Sequence, residues 1–142
     1  MKKTHLFYAL IIVFAAALGA SCMSSSTDGF YIDQEDLKAT HTVQQSPCPQ
    51  EVGTVKIYDT RNASDALPID SVVARASHPS IDVTFDGGSE SSASFGNESE
   101  LNASVWFNCN EAKSVDTSVE FDLYRDGELI ETAVVSVKVT VK

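Results

Sequence analysis

Between Cys48 and Lys142 the apolar residues recur at every second position. Val55 and Ile57 alternate with Thr54, Lys56 and Tyr58, and Ile81, Val83 and Phe85 alternate with Asp82, Thr84 and Asp86. Leu101, Ala103, Val105, Phe107 and Cys109 alternate with Asn102, Ser104, Trp106 and Asn108. The same period runs through Val119, Phe121 and Leu123, and again through Val135, Val137, Val139 and Val141. Successive side chains of a strand point to opposite faces, so each segment reads as a strand with one buried and one wet face. Val72-Val73-Ala74-Arg75 reads as a further, less regular strand. Asn62-Ala63-Ser64-Asp65, Asp86-Gly87-Gly88-Ser89 and Gly96-Asn97-Glu98-Ser99 are turn clusters between them. Short strands joined by short turns predict an all-β fold, an antiparallel β-sandwich of about seven strands.

One turn can be typed. Asp126-Gly127 between two alternating segments fits a two-residue type I′ hairpin loop. Pairing outward from it sets Leu123 opposite Ile130, Phe121 opposite Thr132 and Val119 opposite Val134. The buried positions of the second strand then have even numbers, whereas the apolar residues from Val135 onward have odd numbers. A one-residue slip reverses the faces of a strand. A β-bulge or a change of partner is therefore predicted near Ala133-Val134-Val135.

The start of the chain has a different character. Met1-Lys2-Lys3 is basic, Leu6 to Leu18 is apolar and uncharged, and Gly19, Ala20 and Ser21 are small. This is the order of a secretory signal peptide, and the apolar run is short for a membrane span. Leu18-Gly19-Ala20-Ser21-Cys22 resembles the lipobox of bacterial lipoproteins, although Gly19 stands where that family prefers Leu. The resemblance implies cleavage after residue 21 and lipidation of Cys22. The protein would then be exported to the cell envelope and held at a membrane by its lipid, at about 0.8 kcal/mol per buried methylene. Cleavage by ordinary signal peptidase near Ala20 or Ser21 is the alternative.

The whole chain carries a net charge of −10, and loss of Lys2 and Lys3 makes it more negative. Such a chain repels nucleic acid and anionic headgroups, so no nucleic-acid partner is expected. With Cys22 assigned to lipid, Cys48 and Cys109 remain as an even pair in an exported chain, and a disulfide between them is expected. Two buried free thiols are the alternative. A zinc site is disfavoured, because no further Cys or His lies near either one at ligand spacing.

Residues 22–46 read as a polar tether. Met23-Ser24-Ser25-Ser26-Thr27-Asp28-Gly29 is small, polar and aperiodic. Phe30-Tyr31-Ile32 interrupts it and is expected to dock on the domain, and His41 to Gln44 could add an edge strand. The folded domain is assigned to 47–142. Its Ser46-Pro47-Cys48-Pro49, Val52-Gly53-Thr54-Val55 and Phe107-Asn108-Cys109 are similar in layout to small bacterial immunoglobulin-like lipoprotein domains. That resemblance implies an immunoglobulin-like sandwich and no activity.

Little in the chain points to catalysis. His41 and His78 are the histidines beyond the leader, and neither has a base or nucleophile placed at a telling spacing. Cys48 is flanked by prolines and lacks a nearby base. No phosphate-cradling glycine loop is present and no cofactor is expected. Asp82, Asp86, Glu90, Glu98 and Glu100 match no calcium loop and read as a solvated acidic surface. Asn62, Asn97 and Asn102 each begin an Asn-x-Ser triplet, which in a bacterial chain means turn residues.

The parity of its strand turns Trp106 outward. An outward Trp can stack on a sugar ring or anchor a protein partner, and Tyr124 and Tyr58 share outward parity. These three are the candidate ligand-binding residues. The expected function is a non-enzymatic, membrane-anchored binding module for a protein or glycan. The alternative is a structural subunit, in which a strand such as Val135 to Val141 pairs across molecules.

Overall fold

The computed structural model of the protein describes residues 31–60 and 67–142. The stretch read as a signal peptide, Cys22 and Asn62 lie outside them. The described residues form eight strands: β1 (Asp36–His41), β2 (Gln50–Tyr58), β3 (Ser71–Ala76), β4 (Ile81–Phe85), β5 (Ser92–Ser94), β6 (Glu100–Phe107), β7 (Val115–Arg125) and β8 (Glu128–Val141). They form two sheets, ordered β1-β8-β7-β3-β5 and β2-β6-β4. The fold is all-β and two-layered, with eight strands where about seven were expected. Beyond the six segments named from the alternation, the additions are β1, from the stretch assigned to the tether, and the three-residue β5.

The alternation seen in the sequence is the alternation of burial. Along β6 every second residue, from Leu101 to Phe107, is buried. Val55 and Ile57, Ile81 to Phe85, Val119 to Leu123 and Val135 to Val139 meet it from the other strands in one continuous core. Each buried Val, Leu, Ile or Phe among them contributes about 1.5–3 kcal/mol on leaving water.

Residues 31–41 belong to the sandwich and not to a tether. Tyr31 and Ile32 are buried, as docking of this motif requires, and Ile32 bridges to Ile57. The edge strand expected at 41–44 lies earlier. It is β1, and it runs parallel to β8 from Asp36 beside Ser136 to His41 beside Val141. Among the described residues this is the one parallel pair; the others are antiparallel. With β7 on its other side, β8 has both edges occupied over Ser136–Val139. Strand exchange through Val135 to Val141 would first require β1 to leave. The apolar alternation of β1 is short, with Leu37 and His41 as its buried residues, and was invisible against a polar background.

The hairpin turn is as read. Asp126 and Gly127 have φ of 51° and 78°, and Arg125 pairs with Glu128 across them. The register break is real but sits closer to the turn than Ala133. Tyr124 pairs with Leu129 and Leu123 already pairs with Glu131, so Ile130 is the extra residue. Phe121 then lies opposite Ala133 and Val119 opposite Val135. Placing the bulge beside the turn lets the rest of the long ladder run unbroken, which a bulge at Val134 would interrupt.

Cys48 and Cys109 form a disulfide, with Cα atoms 6.0 Å apart. Such a bond fits an oxidising compartment outside the cytoplasm. β6 ends at Phe107, and Cys109 stands beyond it at φ 64°, partly buried, not on the inner face of the strand. Cys48 precedes β2, the neighbour of β6. The bridge therefore ties one end of the three-stranded sheet and does not span the two sheets. No helix among the described residues is long and apolar enough to cross a membrane.

Candidate functional site

A groove of about 970 Å³ runs along β4, the edge strand of the three-stranded sheet. Its position follows from the unequal widths of the layers. Five strands face three, and on this side β3 and β5 pack near β4 with no strand paired to the outer edge of β4 among the described residues. Ala74, Ala76 and Ser91 give the wall on the wider sheet. They are small, which leaves the space open.

Trp106 stands at the outer rim of this groove. It is half-buried, and its register partner on β4 is Asp82. The indole Nε1–H donates to Thr84 Oγ1 at 3.0 Å, which leans the ring across β4 toward the edge. The outward parity expected from sequence holds, and the hydrogen bond fixes where the ring is presented.

The other two aromatic candidates do not join it. Tyr58 pairs with Glu100 at the far end of β6, whereas Trp106 pairs with Glu51. The two positions are separated by roughly 20 Å of strand at about 3.3 Å per residue. Tyr124 belongs to the other sheet, beside the hairpin turn. No three-ring platform exists, because parity records which face a residue takes and not which sheet or which end.

His78 lies at the groove's margin, half-buried. Its Nδ1 accepts from the Ser80 N–H at 3.1 Å and its carbonyl from the Ile81 N–H at 3.0 Å. It shapes the turn into β4. His41 is buried at the end of β1, 2.7 Å from Gln50 Oε1 through Nδ1 and edge-on to Phe107. Its Nδ1 also lies 4.0 Å from Cys109 Sγ. The ring is a packed core histidine and not a tether residue.

The outer face beside the groove is acidic. Asp82 and Asp86 are exposed, and each meets only asparagine: Asn108 Nδ2 at 3.3 Å for Asp82, and the Asn102 side chain and N–H at 3.3 Å for Asp86. Neither has a cationic partner among the described residues. Among those residues no three of His, Cys, Asp and Glu are grouped so as to hold a metal ion. The alanines and Ser91 were missed from sequence. Their one signal is that β3 replaces large inward residues by small ones as it approaches Ala76.

No family model matches the chain, and no curated protein matches it. Among solved structures it is similar to a Bacteroides ovatus GH5 xyloglucanase in complex with a XXXG heptasaccharide. The identity is 9% and the TM-score 0.44, over 78% of this chain and 19% of that one. The chain thus spans about a fifth of the length of that enzyme. A likeness of this degree assigns no activity.

Proposed function

We propose that this protein is a non-enzymatic binding module, exported to the cell envelope and held at a membrane by lipid on Cys22. The partner binds in the groove beside β4. The finer fold type belongs to the same reading: an immunoglobulin-like sandwich in layout, with its disulfide at one end of a sheet. The observation that carries the proposal is Trp106. A large aromatic ring, oriented by Thr84, stands half-exposed at the rim of the groove. Rigid aromatic side chains placed beside a concavity are the usual anchors of binding surfaces.

Two measurements test it. Intact mass of the mature protein is expected to show a diacylglyceryl-modified Cys22; an unmodified chain starting at Ser21 or Cys22 refutes the anchor. Arrays of glycans and of peptides are expected to give saturable binding that Trp106→Ala abolishes while the far-ultraviolet circular dichroism is unchanged. Binding that survives Trp106→Ala removes the groove from the function.

A further inference from the structure

The proposal above leaves the occupant of the groove open, and the backbone of β4 narrows it. Asn108 N–H donates to Ser80 C=O at 3.0 Å, and Asp86 N–H donates to Asn102 C=O at 2.9 Å. In the antiparallel register of β4 with β6, these bonds fix the parity. Asp82 and Thr84 direct their backbone groups at β6, and Ile81, Val83 and Phe85 direct theirs away from it, at the free edge. Two of the edge groups are used locally. Ile81 N–H reaches His78 C=O, and Phe85 C=O accepts from Gly88 N–H at 2.8 Å. Among the described residues, Ile81 C=O, Val83 N–H, Val83 C=O and Phe85 N–H remain. They form an alternating acceptor and donor row along one side of a groove.

We infer that the groove takes an extended peptide segment of another protein, added as a strand to the edge of β4, with a lysine or arginine opposite Asp82. This deepens the proposed function and rests on it. A row of backbone donors and acceptors at strand spacing is matched by the backbone of another strand. An added strand would stand over Ala74, Ala76 and Ser91, so its inward side chains meet small residues and have room. Its outward side chains would lie beside Asp82 and Thr84. Asp82 has no cationic partner among the described residues, and the ring of Trp106 leans over the same strand, so a cationic side chain there meets a carboxylate and an aromatic face together. The net charge of −10 favours encounter with a basic segment. A second whole copy fits less well. Joining β4 to β4 about a twofold axis would bring two projecting β3–β5 edges under the same space, whereas a single strand meets one.

The test uses the full-length protein and synthetic peptides that alternate small apolar with Lys or Thr residues, measured by calorimetry. Saturable binding is expected. N-methylation of the peptide amides of one parity should weaken it by more than about tenfold, and of the other parity hardly at all. Asp82→Lys should weaken binding by about tenfold or more. Val83→Pro should abolish it, because it removes an edge N–H that β6 does not use; circular dichroism shows whether that variant folds, and Asp82→Lys decides if it does not. Equal effects of both N-methyl parities, or binding indifferent to Asp82→Lys, overturn strand addition. A glycan that binds dependently on Trp106, with no peptide binding, overturns this inference and leaves the proposed function standing. No Trp106-dependent ligand of either kind removes both.

Discussion

The Cδ2 atom of Leu37 occupies the place where a side chain on Gly53 would begin: a Cβ there would lie 2.8 Å from it. Gly53 sits at the register shift of β2 against β6, and Leu37 is the buried apolar residue of β1. The contact seats the first strand against the opposite sheet and closes the side of the sandwich away from the groove. Gly53→Val is expected to lower stability by about 1–3 kcal/mol through this clash. Urea unfolding checks it, and Leu37→Ala in the same chain should recover part of the loss. An unchanged midpoint would mean that β1 does not pack here.

The disulfide joins residues 61 apart in sequence. In the chain-entropy account a loop of that length is worth on the order of 4 kcal/mol. The Cys48→Ser, Cys109→Ser double variant should unfold at correspondingly lower denaturant. The native protein should not react with iodoacetamide at either position until it is reduced.

Asp122 is buried on β7, where it accepts from Thr132 Oγ1 at 2.7 Å and pairs with Arg75 at 2.9 Å. The same guanidinium reaches Glu120 at 3.0 Å. These carboxylates, Asp122 first, hold the Arg75 pKa above its ordinary value. Arg75→Ala is expected to destabilise the fold, because it leaves a buried carboxylate without its cation. Adding Asp122→Leu should restore part of that stability. A double-mutant cycle of thermal midpoints measures the coupling, and additive losses would show that the pair is merely adjacent.

Burial raises the pKa of the Tyr31 phenol above its ordinary value of 10.0, and the charge of Glu131 pushes it the same way. The folded state therefore holds this proton more tightly than the unfolded chain. The resulting stability is present in full below pH about 10 and is lost as pH rises through the raised value. Unfolding midpoints taken up to about pH 11 should fall for the native protein and fall less for Tyr31→Phe. Tyr31→Phe also gives up the bond from its hydroxyl to Leu67 C=O at 3.0 Å, so its midpoint at neutral pH should be lower.

Most of the strands were legible in the residues, and so was the outward face of Trp106. Alternation at period two is a local property: Leu101 to Phe107 needs no distant partner to declare its two faces. The type I′ turn was legible for the same reason, since Asp126-Gly127 tolerates positive φ wherever it stands. What alternation does not carry is pairing. Nothing local distinguishes Ile130 from Glu131 as the partner of Leu123, so the bulge was expected too far from the turn. β1 hid in a polar stretch because its burial comes from β8 and Gly53 and not from its own composition.

The sequence by itself determined the class: an acidic, two-faced β chain with a paired Cys48 and Cys109. Only the tertiary structure decided the site. Which strand ends a sheet, and which small residues of the other layer face it, depends on the stacking of five strands against three. That stacking leaves the backbone of Val83 at an open edge beside Trp106. No spacing in the chain records an edge, because an edge is the absence of a neighbour in space.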